Sequence, residues 1–291
     1  MRSYEAYLRL VEDALPHALD ALEPIPPQLR EAMEYSLLSG GKRLRPVLLL
    51  AATEAVGGDA ESALSFACAL EMIHTYSLIH DDLPAMDDDV LRRGRPTSHV
   101  RFGEAMAILA GDGLLSAAME LMLRASLGTG DLRGTRAAHA IARRCGVSGM
   151  VAGQVIDMNS EGLASDEATV RTLHLRKTAD LLTAAVEAGM ILGGADDETL
   201  ARGVAYGQHL GLAFQIADDL LDVTGTAAEL GKSVGKDRDE AKATWVAVKG
   251  MEGAREDAQR EAALAGEAIQ ILGENAAFFI RCAEDAVRRN H

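Results

Sequence analysis

Cysteine is scarce in this chain. Cys68, Cys145 and Cys282 lie scattered through 291 positions, odd in number and without metal-ligand spacing. That excludes a disulfide framework and a cysteine-based zinc site, and points to a reduced, cytoplasmic protein. Proline is sparse too, at seven residues, and alternating β-branched runs are few. Both argue against a sheet-based fold. Basic residues are outnumbered: 29 Lys and Arg face 44 Asp and Glu, for a net charge of −15. A nucleic-acid-binding face needs positive charge and is not expected. The longest strongly apolar run, Val47 to Ala52, is too short to span a bilayer. The N-terminal MRSYEAYLRLVEDAL mixes charge into its apolar residues, unlike a signal-peptide core.

What the chain has in quantity is Ala, Leu, Glu and Arg, the residues that lose least on entering a helix. The reading is all-α. Helices are expected at 3–22, 28–38, from the start after Gly40-Gly41 to Val56, and at 60–82. Others are expected at 101–127, 132–145, 147–159, 166–192, 197–223, 251–272 and 275–289. Pro46 falls in a first turn, where proline is tolerated. Pro84 should break the helix ending at Asp81-Asp82. Length alone allows one domain or two. Short connections and the lack of a linker make one large helical bundle over 1–291 the economical architecture.

Charge is distributed oddly. Five aspartates (Asp81, Asp82, Asp87, Asp88, Asp89) fall within nine residues, and Arg92, Arg93 and Arg95 follow at once. Like charges at this density repel and need cations among them. The helix C-terminus at Asp81-Asp82 adds an opposing dipole. After the Pro84 turn, Asp87 to Asp89 are expected to restart a helix. A second cluster, Asp218, Asp219 and Asp222, lies in FQIADDLLD. At 100° per residue, Gln215, Asp218, Asp219 and Asp222 share an arc of roughly 100° on one helix face. On an otherwise apolar helix such carboxylates are costly without a counter-charge, although a solvated face is the competing reading. The expectation is that both clusters face one cavity. All-oxygen donors, with no cysteine nearby and no zinc-spaced histidines, favour Mg²⁺ over Zn²⁺. Because Mg²⁺ commonly completes its shell with water and substrate phosphate, a phosphorylated substrate is expected.

The cations fit an anionic substrate. On a continuing helix Arg92 and Arg93 would point about 100° apart, each toward a different anion. Lys42 and Arg45 lie three apart beside a Gly-Gly turn. Arg176, Lys177 and Thr178 sit mid-helix, and Lys232, Lys236 and Lys242 follow the second cluster. Arginine suits forked phosphate recognition and lysine supplies a point charge. Any one of these alone would read as a solvated surface charge, and His74 alone as a core histidine. Their number and placement beside the acids make the case.

In order along the chain stand GGKRLRP (40–46), the DDLPAMDDD block with LRRGRPT, GQVIDM (153–158), RKT (176–178), FQIADDLLD (214–222) and GKD with KAT (235–244). Together they resemble the trans-isoprenyl diphosphate synthases of the polyprenyl synthetase family, bacterial farnesyl diphosphate synthases above all and geranylgeranyl diphosphate synthases next. The resemblance runs from about residue 36 to 250. It implies a helical bundle around a deep central cavity, used as a homodimer. It also implies Mg²⁺-dependent, head-to-tail condensation of isopentenyl diphosphate with an allylic diphosphate. By matched position it implies Asp81 and Asp87 as ligands of two Mg²⁺ ions, supported by Asp82 and Asp88, and Asp218 as ligand of a third, near Asp222. Arg92, Lys177, Gln215 and Lys232 would contact the allylic diphosphate, with Thr178 beside the cation. Lys42, Arg45, His74 and Arg93 would bind isopentenyl diphosphate. The Gly-rich stretch 225–240 is the candidate lid.

Product length in such enzymes follows from the floor below the first aspartate pair. Ser77 and Tyr76, four and five residues upstream of Asp81, lie about 6 and 7.5 Å deeper along a helix. A bulky Tyr76, with the Pro84-Ala85 insertion, resembles the pattern of C15 producers. Ideal geometry puts Ser77 under Asp81 and rotates Tyr76 about 140° away, so its ring would have to reach around. A terpene cyclase would lack the second acidic motif, the paired arginines and the Lys42/Arg45 site. A non-catalytic subunit would have lost acids from one cluster.

Overall fold

The structure is a computed structural model. It describes residues 1–291 except 23, 128–129, 161, 164–165, 225–241 and 289–291. Helices α1 (Tyr4–Ala18), α2 (Pro27–Leu37), α3 (Leu44–Ala55) and α4 (Leu64–Asp81) lead into a hairpin of β1 (Leu91–Arg92) and β2 (Arg95–Pro96). Then come α5 (Ser98–Phe102), α6 (Glu104–Leu127), α7 (Arg133–Cys145), α8 (Met150–Ser160) and α9 (Glu167–His174). A π-helical turn, Leu175–Ala179, joins α9 to α10 (Asp180–Gly193). The series closes with α11 (Asp197–Thr224), α12 (Trp245–Ala268) and α13 (Ala276–Val287). The fold is all-α, as the composition implies.

Three helices form the centre. In α3 every residue from Pro46 to Thr53 is buried, and α4 and α10 are buried for most of their length. Truncating a fully buried leucine here, such as Leu49→Ala, costs about 2–5 kcal/mol in packing and cavity terms. Charged pairs lie inside this core, Arg144 with Asp180 (2.7 Å) among them. Arg43, 4 % exposed, donates to Glu71 (2.7 Å), to Glu12 (2.8 Å) and to the Leu37 carbonyl (2.8 Å). A second apolar cluster forms around Trp245, with Val170, Leu173 and Ile216.

Most expected boundaries lie within a few residues of the observed ones. Helix α1 stops at Ala18 rather than 22, and α8 begins at Met150 because residues 146–149 form a turn. α12 starts at Trp245, six residues early, and carries a break at Gly250 (φ 70°). By length and composition, Glu61–Asp81 and Glu104–Leu127 could each cross a membrane. Uninterrupted apolar runs do not reveal this, because polar residues are spaced along both. The first is mostly buried within the fold, and its helix α4 packs along α6.

The larger correction concerns the first acidic stretch. Asp87 to Asp89 do not restart a helix. Residues 83–87 form turns, and the chain then pairs Leu91 with Pro96 and Arg92 with Arg95 across a two-residue loop. The loop is Arg93-Gly94, both with positive φ (52° and 72°). Such a turn matches the right-handed twist of a hairpin. Arg93 therefore sits in a conformation that costs a non-glycine residue roughly 1–2 kcal/mol. Its guanidinium recovers some of this by donating to the Gly40 carbonyl and to Ser39 Oγ (3.1 Å). Arg92 and Arg93 diverge because one is in a strand and the other in a turn, not through helical rotation.

Candidate active site

The end of α4, the hairpin, α8, the π turn and α11 surround a cavity of about 440 Å³. Asp81 lines it from α4 and Asp218 from α11, so the two acidic clusters do meet one space. Burial, with Asp87 and Asp82 alongside, raises the Asp81 carboxyl to about 6; Lys177 and Arg92 offset only part of the rise. A carboxylate in that condition is short of positive charge. Burial also works to raise Asp87, but Lys177 and Lys242 outweigh it and hold the group below its ordinary value. Lys242 Nζ lies 3.1 Å from Asp87 Oδ1.

The second acid of each pair turns away from the cavity. Asp82 is buried and accepts from Arg92 Nε (2.8 Å) and Nη2 (2.6 Å). Asp219 is buried between α11 and the start of α12. Its Oδ2 accepts from the Trp245 backbone N–H (2.7 Å) and lies 3.4 Å from His174 Nε2; its Oδ1 accepts from Gln215 Nε2 (3.1 Å). Asp222 is buried as well and does not line the cavity. The arc expected to present Gln215, Asp218, Asp219 and Asp222 together thus splits. Gln215 and Asp218 face the cavity, and Asp219 faces protein.

Lys177 and Thr178 owe their position to the π turn. Widening the helix by one residue moves their side chains out of the α-helical register, a device common at functional sites. Helix α8 permits the bulge at Gly153: a Cβ there would lie 2.2 Å from the Lys177 backbone nitrogen. Lys177 Nζ pairs with Asp157 Oδ2 at 2.5 Å. Burial alone would lower this ammonium, but Asp81, Asp157 and Asp87 hold it above its ordinary value, so it is charged. Thr178 Oγ1 donates to Gln215 Oε1 (2.5 Å), which orients the amide so that its NH₂ reaches Asp219. Burial and the Lys177 charge depress His174 to about 3, so it stacks on Trp245 as a neutral ring.

On the other side stand Arg45 and His74, with Arg45 Nη1 3.3 Å from His74 Nε2. Burial, with Arg45, Arg93 and Arg92 nearby, holds His74 well below its ordinary value. A guanidinium only donates, so Nε2 accepts and the imidazole proton sits on Nδ1. Arg92 and Arg93 also line the cavity. Lys42 does not; it is exposed, and its carbonyl accepts from Tyr4 Oη. Lys232 and the 225–240 lid lie outside the described residues. Tyr76, 8 % exposed, and Ser77 both line the cavity.

Asp157, His174 and Trp245 escape sequence reasoning. Asp157 was visible inside GQVIDM, one buried acid at the end of an otherwise neutral motif. Nothing local marks His174 or Trp245, whose partners lie 45 and 26 residues away in the chain.

The polyprenyl synthetase family model matches residues 26–272. The chain belongs to the polyprenyl synthetase family. It is 48 % identical over 251 residues to the farnesyl diphosphate synthase of Geobacillus stearothermophilus, covering 84 % of this chain and 83 % of that one. It is 47 % identical over 276 residues to geranylgeranyl pyrophosphate synthase 11, chloroplastic, of Arabidopsis thaliana, covering 93 % and 77 %. Its fold matches the geranyltransferase of Helicobacter pylori, solved with magnesium and isoprenyl diphosphate. There the TM-score is 0.86 at 32 % identity, over 98 % of this chain and 95 % of that one. As a polyprenyl synthetase, this protein is a prenyltransferase. Relatives named for two different products match about equally well, so identity does not choose between them.

Proposed function

We propose that this polyprenyl synthetase condenses isopentenyl diphosphate head-to-tail with dimethylallyl or geranyl diphosphate, with farnesyl diphosphate (C15) as main product. One observation carries the reading: a single cavity takes Asp81 from one acidic cluster, Asp218 from the other, and Arg45, Arg92, Arg93 and Lys177 between them. A cavity with carboxylates on two walls and basic groups between them suits metal-neutralised diphosphates. Tyr76 at its wall supports C15 over C20.

Magnesium fits the donor set. The candidate ligands Asp81, Asp87 and Asp218 are carboxylates, and the raised Asp81 calls for a cation. Among the described residues no three His, Cys, Asp or Glu groups close into a preformed cage. That suits an ion held by one or two carboxylates and completed by water and diphosphate. Three ions are proposed, and when bound they neutralise the charge that develops on the departing diphosphate. Lys177, Arg92 and, by its matched motif, Lys232 supply fixed positive charge to the same oxygens. Thr178 and Gln215, hydrogen bonded to each other, present an oxygen dipole to the allylic cation. Arg45, Arg93 and His74 hold isopentenyl diphosphate, with Lys42 at its outer edge. The allylic C–O bond breaks, the isopentenyl double bond forms the new C–C bond, and a proton then leaves to the released diphosphate. Apolar Phe214, Met150 and Val151 keep water from the cation.

We further propose a single-domain cytoplasmic homodimer. The free, buried thiols fit a reducing compartment. The exposed Ile108, Leu109, Leu123 and Leu127 on α6 fit a second copy.

Incubation with labelled isopentenyl diphosphate, Mg²⁺ and geranyl diphosphate tests the reading. A C15 product supports it, absence of elongation overturns the activity, and a C20 main product overturns the length assignment. In the same assay Tyr76→Ala is expected to move the main product to C20 or longer; an unchanged distribution would remove Tyr76 from the floor.

A further inference from the structure

His80 is the residue before the first aspartate pair, and the functions above give it nothing to do. Its ring is 28 % exposed and lines the cavity. Nε2 lies 3.1 Å from the Ile108 carbonyl of α6. The facing residue of α6 is Gly111, and a Cβ built there would come within 2.1 Å of Nε2 and 2.5 Å of Cδ2. The seat of the imidazole is therefore the volume of one missing methyl group. One turn back on α4, at the spacing that places side chains on one face, the Tyr76 ring meets His80 edge to face (5.7 Å, 79°). Gly111, His80 and Tyr76 form a stack running from α6 into the cavity.

We propose that His80, seated by Gly111, is a specificity-determining positioning residue: it props the Tyr76 ring and so sets how long a chain the cavity accepts. The inference rests on the prenyltransferase reading and extends it. On the α6 side the ring is stopped by the Ile108 carbonyl and the Gly111 backbone. Its free direction is the cavity. A methyl at 111 drives the imidazole that way, because a side chain with two rotatable bonds yields before two packed helices do. The cavity then shortens. Removing the imidazole has the opposite result, since Tyr76 loses its edge contact and can tilt toward α6.

The test is a double-mutant cycle read in product length. His80→Ala is expected to raise the C20:C15 product ratio about 3- to 10-fold, the scale of one aromatic contact. Gly111→Ala is expected to lower it and to raise KM for geranyl diphosphate more than KM for the shorter dimethylallyl diphosphate. The double variant is expected to match His80→Ala, because no ring remains to be displaced. Equal shortening by Gly111→Ala with either residue at 80 would overturn the seat, as would equal changes in both KM values. Should Gly111→Ala fail to fold, recovery of folding in the double variant supports the seat and continued failure overturns it. A wild-type protein that elongates nothing would overturn the prenyltransferase reading and this one with it; elongation with an additive cycle would overturn this one alone.

Discussion

Asp82 and Asp219 are each the second acid of an adjacent pair, and each turns from the cavity that the first acid lines. Their anchors differ. Asp82 is held by a charge, the Arg92 guanidinium delivered by the hairpin. Among the described residues Asp219 is held by neutral donors: the Trp245 amide, the Gln215 amide one turn back on its own helix and, nearby, a neutral His174. The first anchor fixes an arginine that also faces the cavity. The second fixes a polar pair, Thr178 and Gln215, and the start of α12. One motif shape therefore serves two tasks, positioning charge on one wall and positioning dipoles on the other.

Four measurements would break or sharpen that contrast. Replacing the outward acids, in Asp81→Ala or Asp218→Ala, is expected to lower kcat by about 10²–10³-fold without lowering the melting temperature, because each removes transition-state charge stabilisation. A loss of less than tenfold in either would mean that the walls are not equivalent in metal binding. Replacing the inward acids should separate them by stability. Asp82→Ala leaves the Arg92 guanidinium with the more distant Asp89 (3.9 Å) and is expected to cost about 3 kcal/mol by denaturant titration. Asp219→Asn keeps an acceptor for the Trp245 amide and is expected to cost about 1 kcal/mol. Equal costs would erase the distinction between a charged and a neutral anchor.

The third measurement is a pH profile. Asp81 titrates near 6 when folded and near 3.8 when unfolded. Between those values the native state holds a proton that the unfolded state has released, so its share of stability falls as pH rises through the window. In metal-free protein that share is about 3 kcal/mol. Asp81→Asn is expected to remove this slope, and excess Mg²⁺ to reverse it; a slope shared by the variant would assign it elsewhere. The smallest effect concerns Lys177. Asp157→Asn removes one of three acids that hold it charged, and a kcat loss of about 3- to 10-fold is expected from the misplaced ammonium. No loss would show that Asp81 and Asp87 suffice.

Much of this site was legible because its chemistry is local. Adjacent aspartates, the RKT triplet and the arginine block are short motifs, and helices with apolar residues every three or four positions announce themselves. What stayed hidden was set by partners distant in sequence. Arg43 stands between Lys42 and Arg45 and reads like them, yet Glu71, 28 residues on, takes it into the core. Asp219 shares a helix face with Asp218 on a wheel diagram, but Trp245 claims it. The helix expected at Asp87–Asp89 failed for a local reason. Arg93-Gly94 is a two-residue hairpin loop, and the charge run around it masked the turn signal.

The π turn at Leu175–Ala179 has a bearing on how this chain can vary. It makes the stretch from α9 to α10 one residue longer than an unbroken helix would be. Deleting that residue would relax the backbone into better hydrogen bonding, and by local criteria it would be an improvement. It would also rotate everything on one side of the turn by about 100° relative to the other. Lys177 and Thr178 would leave the cavity, or α10 would leave the core. The extra residue works as a phase setting between a chemical half-helix and a structural one. Single deletions here should therefore be far less tolerated than in any loop of the protein, however mild their effect on helicity.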